Sequence, residues 1–350
     1  MVSIIICAVK LNEYFKECIH SCVTQTYEDT EILLITEKDT EDFLLCKEME
    51  RKDSRIRVVA KEKHNVGKGR NYGLSEAKGD YICFVDADDT FYNETSLERM
   101  VRSLSVENGD VLVSNYVRKV EDELIPVMNH GFSEQTDVLS EDFRFTGFFS
   151  RAHLSFVWAK LYRKEFLDDN EIRFPETTNG EDRAFNMCVY GARPDYVFSD
   201  QVTYIYRNNL DSITHSYHEK FKEIWEENAV FYDRYMEKLQ PKYSFEDLPA
   251  FVMMFSLIFH VRQEYERKNS KKNILEVVEA YTTDDYVNKK MNYLVEHKIC
   301  NQISDLGYRT GTDNLSKWIV KKRNDSIIFG LEKIFDLSID KKHSPETANS

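Results

Sequence analysis

No apolar run in this chain approaches the ~18 residues that a membrane-spanning helix needs. The start, Met1-Val2-Ser3-Ile4-Ile5-Ile6, enters an apolar stretch with no basic segment before it, which argues against a secretory leader. Cysteine is too sparse and scattered for a disulfide framework. The seven (Cys7, Cys18, Cys22, Cys46, Cys83, Cys188 and Cys300) are odd in number and mostly set among apolar neighbours. That pattern predicts reduced core thiols and a cytoplasmic protein. Cys18 and Cys22 stand four apart, but no second Cys/His pair accompanies them, so structural zinc is not expected. Positive charge is also short: 47 Lys/Arg face 61 Asp/Glu, a net charge of −14. Such a balance argues against nucleic-acid binding. Internal repeats and low-complexity linkers are absent as well.

What is present reads as an ordinary globular protein, 42% hydrophobic and 31% charged. Its 350 residues suit one large α/β domain with a smaller appendage. The acid is unevenly spread. Residues 219–350 hold 21 Lys/Arg and 22 Asp/Glu, whereas residues 1–218 hold 26 and 39. The excess therefore lies in the first part. There, short apolar runs (3–9, 31–35, 56–59, 81–85) alternate with stretches of helical spacing (14–23, 43–52, 69–77). The alternation predicts a mostly parallel sheet with helices on both faces and ligands at the carboxyl ends of its strands. Further strands are expected at 110–117 and 196–206. From residue 219 the pattern turns helical, at 221–239, 248–265, 274–281 and 285–300. We therefore divide the chain into an α/β domain (1–218), a helical domain (219–339) and a polar tail (340–350) expected to be disordered.

The strand Tyr81–Val85 runs directly into Asp86-Ala87-Asp88-Asp89. Three carboxylates at a strand end repel one another and are costly to desolvate. One reading is a turn in which an Asp caps the next helix, but capping needs only one. The other is a site for Mg²⁺ or Mn²⁺, which hard oxygen ligands suit.

The order of the pieces resembles that of family 2 glycosyltransferases of the GT-A fold. The stretches that carry the likeness include Cys22-Val23-Thr24-Gln25-Thr26-Tyr27, Gly69-Arg70-Asn71-Tyr72-Gly73-Leu74 and Phe84-Val85-Asp86-Ala87-Asp88-Asp89. Val157-Trp158-Ala159-Lys160-Leu161-Tyr162 and Gly180-Glu181-Asp182 follow in the family's sequence. The resemblance covers roughly residues 1–218 and implies an inverting transferase that takes a sugar from a nucleotide diphosphate. Asp86-Ala87-Asp88 matches the family's DXD motif, which implies that Asp86 faces the donor ribose and Asp88 holds Mn²⁺ or Mg²⁺. Arg70 is implied near the diphosphate, and Asp182 as the general base. The resemblance also points to Lys160 at the donor or acceptor pocket, to Arg207 at the donor diphosphate, and to His215 as a third metal ligand. Trp158 is expected in the core.

Two segments depart from the family. The first strand ends Cys7-Ala8-Val9-Lys10 where Pro-x-Tyr-Asn is usual. The second ends Thr36-Glu37-Lys38-Asp39 where Val-Asp-Asp-Gly-Ser normally grips the uracil of UDP. Glu37 or Asp39 is the expected replacement for that carboxylate, each able to accept from a base N–H. The donor is accordingly expected to be a UDP-sugar and the acceptor a glycan or a lipid- or protein-linked group. Basic clusters at 267–272 and 321–323, beside aromatic-rich helices, leave open a peripheral contact with anionic membrane. The same helices leave open a homo-oligomer interface. Two other functions compete: a sugar nucleotidyltransferase, which the lack of glycine in residues 7–13 disfavours, and a non-catalytic subunit, which the retained acids disfavour.

Overall fold

The computed structural model describes residues 1–208, 219–239 and 245–335. Strands β1 (Val2–Cys7), β2 (Thr30–Glu37), β3 (Ile56–Lys61) and β4 (Tyr81–Phe84) form a parallel block in the order β3-β2-β1-β4. Helices α1 (Phe15–Val23), α2 (Glu41–Lys52) and α3 (Val66–Glu76) connect them. Side-chain alternation along β1 explains why helices lie on both faces. Val2, Ile4 and Ile6 share a core with Phe15, Cys18, Ile19 and Cys22 of α1 and with Cys46 and Met49 of α2. Ile5 points the other way, against α3. There a Cβ on Gly73 would lie 2.4 Å from the Ile5 Cγ2, so only glycine admits this approach.

Gly79 makes the turn into β4 and packs directly on the β1 backbone. A Cβ there would lie 2.6 Å from the Ser3 amide nitrogen and 2.9 Å from the Met1 carbonyl oxygen. Backbone cannot rotate aside, so Gly79→Ala should cost about 1–3 kcal/mol. The check is a urea titration, in which the midpoint falls while the slope stays unchanged.

Past β4 the sheet is mixed. Short strand β5 (Thr90–Phe91) and α4 (Ser96–Glu107) precede β6 (Val111–Val120) and β7 (Glu123–Pro126). After α5 (Glu141–Phe145) and a π-helical turn at Thr146–Ser150 come β8 (Lys160–Arg163), α6 (Lys164–Asp169), α7 (Glu181–Gly191) and β9 (Tyr196–Arg207). The order continues β4-β8-β6-β9-β5, with β7 on β6. Of these pairings only β6–β9 is parallel; β8 runs antiparallel to both its neighbours. The antiparallel character went unforeseen because β8 is four residues long, too short to show a period.

The C-terminal region is helical: α8 (Phe221–Leu239), α9 (Asp247–Glu266), α10 (Lys271–Thr282), α11 (Asp285–Glu296), α12 (Leu306–Val320) and α13 (Asn324–Phe335). Helix α9 buries Phe251, Val252, Met253, Met254, Leu257 and Val261, and so forms the centre of this packing. Ser270, Asp284 and Asp305 cap the starts of α10, α11 and α12 through side-chain acceptors. Two buried cations are matched by acids: Arg144 with Asp247 at 2.6 Å, and Lys290 with Asp233 and Glu246. The described residues fall into two compact units, 1–138 with 146–208 and 234–239, and 139–145 with 219–233 and 245–335. All seven cysteines are free, and burial pushes the Cys7 and Cys46 thiols up to about 12. Among the described residues no helix is long and apolar enough to cross a membrane.

Candidate active site

The turn that follows β4 sorts its three aspartates. Val85 N–H still bonds to the Ile5 carbonyl at 3.1 Å, and Asp89 N–H closes the turn on the Asp86 carbonyl at 3.0 Å. Asp89 turns inward and is buried. Its carboxylate accepts from the Tyr204 hydroxyl at 2.8 Å and from the Arg207 backbone N–H at 2.7 Å. Burial, with the charges of Asp86 and Asp88 beside it, holds its carboxyl well above the usual range. Asp86 and Asp88 stay half-buried at the rim. Of the three, Asp89 is thus bound into the fold, while Asp86 and Asp88 lie toward the surface.

Arg70 gathers the rest. It sits on the second turn of α3, whose first turn is capped by Asn65 accepting from Lys68 N–H at 2.9 Å. The guanidinium is 5% exposed, and one nitrogen donates to Asp86 at 2.9 Å. The other terminal nitrogen donates to Glu181 at 3.1 Å and to Asp182. Glu181 and Asp182 form the first turn of α7, where the helix dipole favours acids. Gly180 precedes them at φ +79°, a left-handed conformation that glycine adopts without strain. Asp182 also accepts from the Val157 backbone N–H. Burial pushes its carboxyl up to about 7; Arg70 opposes this, and the charges of Glu181 and Asp86 add to it.

One arginine thus faces three carboxylates, and the cluster keeps an excess of negative charge beside Asp88. That excess is what a divalent cation neutralises. Among the described residues no group of three or more His, Cys, Asp or Glu has the geometry to hold a metal. Asp86 and Asp88 are two half-buried carboxylates that could contribute oxygens to such a cation. This fits Mg²⁺ or Mn²⁺, which bind through one or two carboxylates together with substrate phosphates.

The other expected residues are distributed differently. Arg207 braces the turn: its Nε donates to the Asp88 carbonyl at 3.0 Å and its terminal nitrogen to Glu17 at 2.6 Å, over the ring of Tyr14. Glu37 ends β2 and accepts from His64 N–H at 3.2 Å. Asp39 is exposed at φ +57°, in the left-handed region where the family carries its glycine-containing turn. Lys160, expected at a donor or acceptor pocket, is instead buried at 2% exposure. Its amine donates to the carbonyls of His153, Phe156 and Trp158, so it holds that loop together. Trp158 is core as expected, stacked between Phe156 at 4.5 Å and Tyr204 at 5.0 Å. His215 lies outside the described residues. Sequence reasoning missed Glu181 as a partner of Arg70, grouped Asp89 with the other acids of its turn without seeing its inward role, and missed Tyr204 and Glu17 altogether. Only Glu181 left a signal, its place beside Asp182.

The chain is similar to known glycosyltransferases. Residues 3–170 match the model of glycosyl transferase family 2. An uncharacterized glycosyltransferase of Bacillus subtilis, EpsJ, is 25% identical over 304 residues, covering 84% of this chain and 86% of its own. The poly(ribitol-phosphate) β-N-acetylglucosaminyltransferase TarS of Staphylococcus aureus is 28% identical over 209 residues, 58% of this chain and 35% of its own. The crystal structure of TarS residues 1–349 in complex with UDP-GlcNAc superposes with a TM-score of 0.71. It is 20% identical and the match covers 96% of this chain and 91% of that one.

Proposed function

We propose, from the match of residues 3–170 to the model of glycosyl transferase family 2, that this chain transfers a sugar, with inversion, from a UDP-sugar to a hydroxyl of a glycan or lipid-linked acceptor. That it is a glycosyltransferase of GT-A fold, with a helical C-terminal region, is given by its relatives and neighbours. The observation that carries the finer reading is Arg70. It joins the carboxylate assigned to the donor, Asp86, to the carboxylate assigned to the acceptor, Asp182, through one buried guanidinium. The UDP-GlcNAc bound by TarS supports a UDP-sugar as donor.

In this reading Asp88 holds Mn²⁺ or Mg²⁺, with Asp86 facing the ribose. The cation supplies positive charge where the leaving diphosphate becomes more negative. Arg70 adds a fixed positive charge at the same place and keeps Asp86 and Asp182 in register. Asp182 takes the proton from the attacking acceptor hydroxyl, which a carboxylate with a raised proton affinity does well near neutral pH.

A thermal-shift series with UDP-, GDP-, CMP- and dTDP-sugars, with and without Mn²⁺, tests the assignment. A UDP-sugar with Mn²⁺ should stabilise the folded chain by about 2.7 kcal/mol at a hundredfold excess over Kd. The shift should vanish in Asp88→Ala. No shift with any donor would overturn the proposal and favour a non-catalytic subunit.

A further inference from the structure

We propose that Tyr204 is a positioning residue that fixes the spacing of Asp86 and Asp88 by tying the two ends of their turn together; the proposal rests on the functional reading above. The Asp86 backbone N–H donates to the Tyr204 hydroxyl at 3.1 Å, and the same hydroxyl donates to Asp89 at 2.8 Å. A phenol has one proton to give and lone pairs to receive. Since the Asp86 N–H can only donate, it takes a lone pair of the hydroxyl, whose own proton is left for Asp89. One oxygen thereby spans the turn from its first residue to its last.

The anchor itself is rigid. The Tyr204 ring is buried at 1% exposure and lies parallel to Trp158 at 5.0 Å. Its backbone pairs with Phe91 in the short ladder of β5 and β9, directly after the turn. Further bonds reach the same four residues, among them Arg207 N–H to Asp89, Arg207 Nε to the Asp88 carbonyl, and Asp89 N–H to the Asp86 carbonyl. The hydroxyl of Tyr204 is the link that reaches the Asp86 amide, and so sets where the Asp86 side chain starts on its way to Arg70. Supporting groups of this kind lie outside the ligand sphere but determine the geometry within it.

Tyr204→Phe removes the hydroxyl and keeps the ring in its stack. In the full-length chain the Asp86 amide, read by hydrogen exchange without metal or donor, should lose protection. The Mn²⁺ concentration giving half of the thermal shift with UDP-GlcNAc should rise about tenfold or more, the scale typical of lost outer-shell partners. Tyr116→Phe is the control: this ring packs edge-on against Trp158 at 4.7 Å and does not touch the turn, so neither readout should move. If Tyr204→Phe does not fold, Asp89→Leu, of similar size but with no acceptor, removes the hydroxyl's partner at the other end, and the same shift in Mn²⁺ requirement is expected. An unchanged Mn²⁺ requirement in the folded variant overturns the proposal, whichever way the exchange falls. A wild-type chain with no Mn²⁺-dependent shift at all would instead sink the functional reading, and this inference with it.

Discussion

Replacing Asp182 with asparagine should leave a folded protein that still binds donor but transfers sugar about 10²–10⁴-fold more slowly, the usual contribution of a positioned base. Asparagine keeps the shape and one acceptor oxygen for Arg70 but cannot take a proton, so the loss falls chiefly on proton transfer. The pH dependence follows from the same site. Burial raises the Asp182 carboxyl to about 7, so the protonated form, which cannot act as base, persists up to near neutrality. In the wild type, kcat/KM should therefore climb with pH and level off above about 7. In the variant that limb should be absent. Turnover within a few-fold of wild type in Asp182→Asn would remove Asp182 from the mechanism.

Arg70→Met should act on stability as well as on catalysis. Removing one member of a buried ion cluster costs about 3–5 kcal/mol, because the remaining charges stay desolvated and unpaired. Here three acids lose their common partner, but their side chains keep 14–34% exposure and water can reach them. The lower end, about 3 kcal/mol, is expected. At roughly 2–4 °C per kcal/mol for a domain of this size, calorimetry should show a melting temperature about 6–12 °C lower. Raising the acidity of the buffer should recover part of the loss. Protonated acids do not repel one another, and without Arg70, which holds it down, the Asp182 carboxyl takes up a proton more readily than in the wild type. A variant that melts with the wild type would show that Arg70 does not neutralise these acids.

How much of this could be read in the sequence depends on the range of each interaction. Strands β1 to β4 were legible because each is an apolar run followed by a helix, and their partners come next in the chain. The roles of Asp86 and Asp182 came from motif order. The bond that unites them through Arg70 joins residues more than a hundred positions apart, and no local pattern encodes it. Tyr204 reads as one more apolar position of a strand; only its contact with the Asp86 turn, 118 positions away, gives the hydroxyl a purpose. Lys160 misled for the opposite reason. Its motif suggested a ligand-facing amine, whereas the chain surrounds that amine with carbonyls.

The strand order has a consequence for how the protein is made. Residues 2–84 supply four adjacent strands, so this block can assemble as soon as it leaves the ribosome. Strand β5, only a few residues further on, has no partner until β9 is synthesised, more than a hundred positions later. The Asp86–Asp89 turn lies between the two. Its upstream end is set early and its downstream end late, by Tyr204 and Arg207. A nascent chain stopped before residue 204 would carry every acid of the site in a sheet that cannot yet hold them in place. The bonds that fix the downstream end of the turn can form only when most of its domain has been translated.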